Sequence, residues 1–277
     1  MSVASFIPEI WNASLWLEFR EQAVAAGLVN RTYEGNARVG NKVTINQATD
    51  IAIKDYADAG RTTTPDDVAT DSQTLLIDQE KNFDFLVDDI DRRQAAGSMD
   101  VYTQSAGLAL AEDADKFILS VAEAGALGAN AATGAAATTG AEAFDILNDL
   151  RKRLNKQKAP RAQRVAFVNA EFSHLLLNAD AKLTKADESG DTRGLRDAFL
   201  GRILGMDVYE SENLPEVDAQ QVVAFWQPSV AVVSQIPPDG VEAMRDVDVF
   251  ADRLRGLHVY GCRAIRPNAI ATFNPGS

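Results

Sequence analysis

Residues 75–91 read LLIDQEKNFDFLVDDID. Phe83, Phe85 and Val87 alternate with Asn82, Asp84 and Asp88, and Leu75 and Ile77 precede them at the same two-residue period. Successive side chains of a strand point to opposite faces, so this alternation predicts half-buried antiparallel strands. The same period appears upstream, where Val43 and Ile45 alternate with Lys42, Thr44 and Asn46, and Ile51 and Ile53 with Ala52 and Lys54. Between the two blocks, residues 57–72 are polar and contain Gly60 and Pro65. Strand, long polar tip and strand together predict an extended hairpin, with Phe83, Phe85 and Val87 on one face of the ribbon and Val43 and Ile45 available to that face or its partner strand. A two-stranded ribbon has too little core to stand alone, so it needs a partner surface.

Working outward, residues 6–28 mix apolar and charged positions at a rough helical spacing, with Pro8 able to open a helix and Gly27 to close one. Such a segment docks either on its own core or on a neighbouring molecule. Beyond the hairpin the period changes. Ala106, Leu110, Ala114, Phe117, Ile118 and Val121 recur every three or four residues and predict one long amphipathic helix. Residues 122–141, rich in alanine and interrupted by Gly125, Gly128 and Gly134, read as a loosely folded connector. A second unit then begins. Thr139 and Glu142 stand at capping-box spacing ahead of a stripe of Phe144, Leu147, Leu150 and Leu154. Pro160 stops that helix, residues 165–168 form a strand, and Asn169 caps a helix carrying Phe172, Leu175 and Leu176. Further strands are expected at 207–209, 222–225, 230–233, 257–260 and 270–273, with a turn at Pro237, Pro238 and Gly240. Helices and strands in this order predict an α+β fold.

Composition narrows the function. The 277 residues are 46% hydrophobic, enough for a sizeable core, yet no apolar run is long enough to span a membrane. Residues 1–11 lack the basic and apolar regions of a secretory signal. One cysteine, Cys262, cannot cross-link the chain to itself, which fits synthesis in a reducing cytoplasm. The net charge of −13 opposes tight binding to nucleic acid, which depends on neutralising phosphates.

Catalytic patterns are missing. His174 and His258 have no metal-ligand partner at short spacing, and His174, within a helical stripe, reads as a hydrogen-bonded structural histidine. Cys262 has no adjacent base and reads as a small buried hydrophobe. Two acidic groups, Asp84, Asp88, Asp89 and Asp91, and Asp187, Glu188 and Asp191, lack a calcium-loop pattern. They leave a metal-dependent hydrolase only as a remote alternative. No catalytic, cofactor-binding or metal-binding residue is therefore expected. Residues 151–164 hold seven basic residues and no acidic one. This segment is either a solvated helix end or a docking surface for an acidic neighbour such as 78–91.

Several stretches resemble the major capsid proteins of tailed bacteriophages, the Hong Kong 97-type fold. They are FIPEIW (6–11), GLVNR (27–31), GNKVTI (40–45), the opening segment 75–91 and RLRGLHVYGCRAIRPNAIATFNP (253–275). The resemblance implies an N-terminal arm at 1–38 and an extended β-hairpin loop at 39–91. It implies a peripheral domain with a spine helix at 92–140 and 239–277, and an axial domain at 141–238. It further implies a non-enzymatic subunit that forms pentamers and hexamers of an icosahedral virion shell around double-stranded DNA. The missing cover of the ribbon would come from the adjacent subunit. The implied partners are further copies, a separate scaffolding protein and a portal, with no membrane, and assembly in the host cytoplasm. Some members join a loop lysine to an asparagine covalently; Lys54 and Asn268 are of those types, and no such bond is expected here. An encapsulin-like nanocompartment shell shares the fold and is the nearest alternative.

Overall fold

A computed structural model describes residues 23–36, 40–48, 53–58, 60–63, 65, 70–89, 100–177, 199–215, 220–236 and 241–275. Most of the N-terminal helical pattern, Ile51, Asp91, the 187–191 acidic group and the turn at Pro237, Pro238 and Gly240 lie outside the described residues.

The expected ribbon forms, with a different composition. Strand β1 (Lys42–Ala48) pairs antiparallel with β2 (Thr70–Leu76), setting Val43 opposite Leu75. Strand β3 (Gln79–Asp88) does not join them. It pairs along its whole length with β11 (Ala251–Ala264), Phe85 facing Leu254 and Asp84 facing Arg255. Alternation fixes which side chains share a face but not which strand lies alongside, and here the partner comes from the far end of the sequence. Strands β9 (Val230–Ile236) and β10 (Val241–Arg245) also pair with β11, completing a four-stranded sheet. Phe83, Phe85 and Val87 therefore belong to this sheet and not to the ribbon face of Val43 and Ile45. Phe85 meets Tyr102 at 6.3 Å between ring centres.

The ribbon root is covered by its own chain. Val43, Ile45, Leu75 and Ile77 are buried against Ala231, Val233, Val259 and Ile265. This corrects the expectation that a neighbour supplies the cover of these residues: the missing wall is the sheet of β9 and β11.

Helix α1 (Ala25–Leu28) packs on α2 (Asp100–Ala124), the long amphipathic helix. The buried Asp115 of α2 accepts hydrogen bonds from the backbone N–H of Val24 (3.0 Å) and Ala26 (2.9 Å). Residues 131–134, expected in a loose connector, form strand β4 (Ala131–Gly134), parallel to β12 (Ile270–Pro275). The alanines that weakened the sequence signal suit close packing: Ala132 is buried and Ala131 exposed.

A six-stranded sheet runs β4-β12-β8-β5-β7-β6, where β5 is Arg164–Val168, β6 Phe199–Ile203, β7 Met206–Glu210 and β8 Val222–Trp226. Helices α3 (Gly140–Lys156) and α4 (Ala170–Leu176) bury Leu147, Leu150, Leu154, Phe172 and Leu176 against Ala166, Val168, Val222 and Ala224. On the opposite side, Ile118, Leu119 and Ala122 of α2 pack with Val165, Phe167, Val223 and Phe225. Both faces of β5 are thus covered, which is why residues 165–168 read as a continuous apolar run. The expected caps form: Thr139 and Glu142 bond reciprocally at the start of α3, and Asn169 Oδ1 accepts from Phe172 N–H at 3.3 Å.

Candidate assembly surfaces

The residues with catalytic potential are dispersed. His174 lies exposed in the last turn of α4, which corrects the expectation of a hydrogen-bonded structural histidine within the stripe. His258 is buried, stacked on Tyr260 at 4.4 Å, with Nε2 3.4 Å from Ser234 Oγ and Nδ1 without a partner among the described residues. Burial holds its pKa below the ordinary histidine value. Cys262 is half-buried, and desolvation pushes its thiol up to about 12, the opposite of what a nucleophile requires. Among the described residues, no three His, Cys, Asp or Glu side chains are placed together to hold a metal ion.

Asp84 of β3 and Asp89 just beyond its end have ion-pair partners within the chain. Asp84 takes Arg253, whose Nε lies 2.8 Å from Oδ1, and this guanidinium holds its carboxyl below the usual carboxylate range. Asp89 takes Arg245, which also reaches Asp252 at 3.2 Å. These are exposed cross-strand pairs, individually worth little but able to fix the register of β3, β11 and β10. The acidic strand is therefore partly neutralised within its own chain and offers less to a basic neighbour than its sequence implied.

Two glycines of β11 allow close approaches, one at the ribbon root and one to β3. A Cβ on Gly261 would stand 2.0 Å from the Leu76 carbonyl oxygen, because β2 crosses β11 there. One on Gly256 would stand 2.3 Å from the Phe83 ring.

The surface leaves large apolar side chains in water. Ile53 and Tyr56 are exposed beyond the paired part of the ribbon. At the β10–β11 turn, Val247 is 97% and Phe250 82% exposed, with Val249 and Met244 nearby in sequence and also exposed. Large apolar side chains left this exposed are what an interaction surface offers. Residues 246–250, DVDVF, carry a legible signal of it that periodicity does not single out: apolar residues interspersed with aspartate just before a strand.

With this geometry in place, comparison with known proteins is decisive. The family model described as phage capsid protein matches residues 72–273. The chain belongs to the phage capsid protein family. A solved structure from Mycobacterium phage Che8 is 47% identical to this capsid protein, covers 97% of both chains and superimposes with a TM-score of 0.86. The capsid structure of cyanophage P-SCSP1u is 14% identical over 100% of this chain and 95% of its own, with a TM-score of 0.77. A virus-like particle from Pyrococcus furiosus shares the fold at 15% identity and a TM-score of 0.55, over 84% of this chain and 86% of its own. No curated protein matches the sequence. The capsid protein thus has the α+β fold of tailed-phage capsids, and it is a structural protein of the virion, a major capsid shell subunit.

Proposed function

We propose that the capsid protein forms pentamers and hexamers of an icosahedral shell around packaged double-stranded DNA, and that it catalyses nothing. The observation that carries this reading is the exposure of Ile53, Val247 and Phe250 at the ends of two hairpins. Each costs favourable burial while in water, about 1.5–3 kcal/mol for a large apolar side chain, and a neighbouring copy recovers it. In this reading residues 1–38 are an arm and 39–91 an extended loop. Residues 92–140 and 239–277 form the peripheral domain with its spine helix, and 141–238 lie toward the capsomer axis. A net charge of −13 on every copy suits a wall that holds DNA without gripping it. A separate scaffolding protein and a portal complete the assembly in the host cytoplasm, and neither His258 nor Cys262 takes part in a reaction.

The contents of purified particles test the proposal. Genome-length double-stranded DNA inside shells built of this chain is the expected result. Shells that carry a protein cargo and no DNA would transfer the chain to the nanocompartment class.

A further inference from the structure

The guanidinium of Arg164 is buried, 3% exposed, and meets no carboxylate among the described residues. It donates instead to the carbonyls of Pro160 and Ala159, both at 2.7 Å. Arg151 and Arg161 lie close enough for their charges to act on it unfavourably. Carbonyl oxygens orient a guanidinium but do not neutralise it, and a buried charge is costly without a counter-charge. Nearby on α3, Asp149 already holds Arg153 at 2.7 Å and Lys152 at 3.6 Å. Arg151, Lys156, Lys158 and Arg161 have no acidic partner among the described residues. This end of the six-stranded sheet therefore carries an excess of positive charge on a strongly acidic chain.

We propose that Arg151 on α3 and the exposed Arg161 in the α3–β5 turn, both beside the buried charge of Arg164, form a docking site for carboxylates of a second copy of this chain. The occupant follows from charge. Residues 151–164 hold seven of the chain's 27 basic residues and none of its 40 acidic ones, so the remaining surface of any neighbouring copy is predominantly acidic. The acids nearest in sequence to the earlier candidate strand are divided: Asp84 and Asp89 are taken by Arg253 and Arg245. Asp58, Asp71, Asp78 and Glu80 are exposed and have no basic partner among the described residues. Arginine forks match carboxylates in fixed geometry, and such pairs set orientation between copies and suppress wrong contacts. The inference deepens the shell reading and rests on it.

The test uses shells assembled from an equal mixture of isotopically heavy and light chains. A carbodiimide joins lysine amines to carboxylates only at contact distance. Peptides linking Lys156 or Lys158 to an aspartate or glutamate in heavy–light pairs are the expected result. Links confined to single-isotope pairs, or none, would overturn the proposal. In parallel, Arg151→Glu with Arg161→Glu should lower shell yield about tenfold at low salt, because like charges then face each other across the contact. The thermal unfolding of the free subunit should stay near that of the unaltered chain, and raised salt should narrow the yield difference. Normal shells from the doubly substituted chain would overturn the assignment, and so would normal empty shells that fail only to retain DNA, which would give the cluster to nucleic acid. Shell formation by the unaltered chain in the same experiment keeps a failure of this site separate from a failure of the shell reading.

Discussion

Gly261 lies directly beneath Leu76: a Cβ at position 261 would stand 2.0 Å from the Leu76 carbonyl oxygen and 2.9 Å from the Ile77 Cα. The obstacle is backbone, so it cannot swing aside as a side chain would. Gly261→Ala should therefore displace the ribbon root or unseat it, with a cost of about 1–3 kcal/mol from overpacking. Gly256→Ala meets only the Phe83 ring, and Phe83→Leu should recover much of its loss. Thermal unfolding of the two alanine variants, with and without Phe83→Leu, checks the contrast. Equal rescue of both by Phe83→Leu would contradict it.

The ribbon root and tip should behave differently. Leu75 is fully buried against the chain's own sheet, so Leu75→Ala should cost about 2–5 kcal/mol in the free subunit. Arg61 lies exposed beyond the paired strands. Trypsin should cut there quickly in free subunits and slowly in shells, while the amides of β1 and β2 exchange slowly in both. Equal cleavage in shells and subunits would remove the tip from any contact between copies.

Asp115 ties the segment before α1 to the long helix. Asp115→Ala leaves the half-buried N–H groups of Val24 and Ala26 without their acceptor, at about 1 kcal/mol for each hydrogen bond lost. Hydrogen exchange at these two amides should accelerate well before the six-stranded sheet is affected. Unchanged exchange would show that α1 is held by its apolar contacts alone.

His258 predicts an acid-side loss of stability. Burial depresses its folded pKa, so below about pH 6.5 the unfolded chain takes up a proton that the folded chain refuses. Stability contributed by the neutral ring is complete above this range and falls as the pH drops toward the folded value. Denaturant midpoints between pH 7 and about pH 5 should fall less steeply for His258→Gln than for the unaltered chain. Parallel slopes would contradict the burial argument.

Local signals were the legible ones. Thr139 with Glu142, Asn169 before Phe172, and the Leu147–Leu150–Leu154 stripe depend on neighbours a few residues away, and each forms as read. The partner of β3 was not legible, because Arg253, Arg255 and Gly256 lie some 170 residues downstream and alternation carries no record of them. The same limit hid the cover of Val43 and Ile45 by β9 and β11. Strand β4 was masked by its two alanines and Gly134, which only a flanking strand makes extended. On the candidate surfaces, the basic run at 151–164 was visible as composition, whereas the burial of Arg164 without a counter-charge among the described residues required the fold.

Electron microscopy of the purified chain, expressed alone and with the scaffolding partner proposed above, tests the central claim most directly. The account predicts closed icosahedral shells, or isolated pentamers and hexamers, in at least one of these preparations. A folded protein that remains strictly monomeric in both would contradict it.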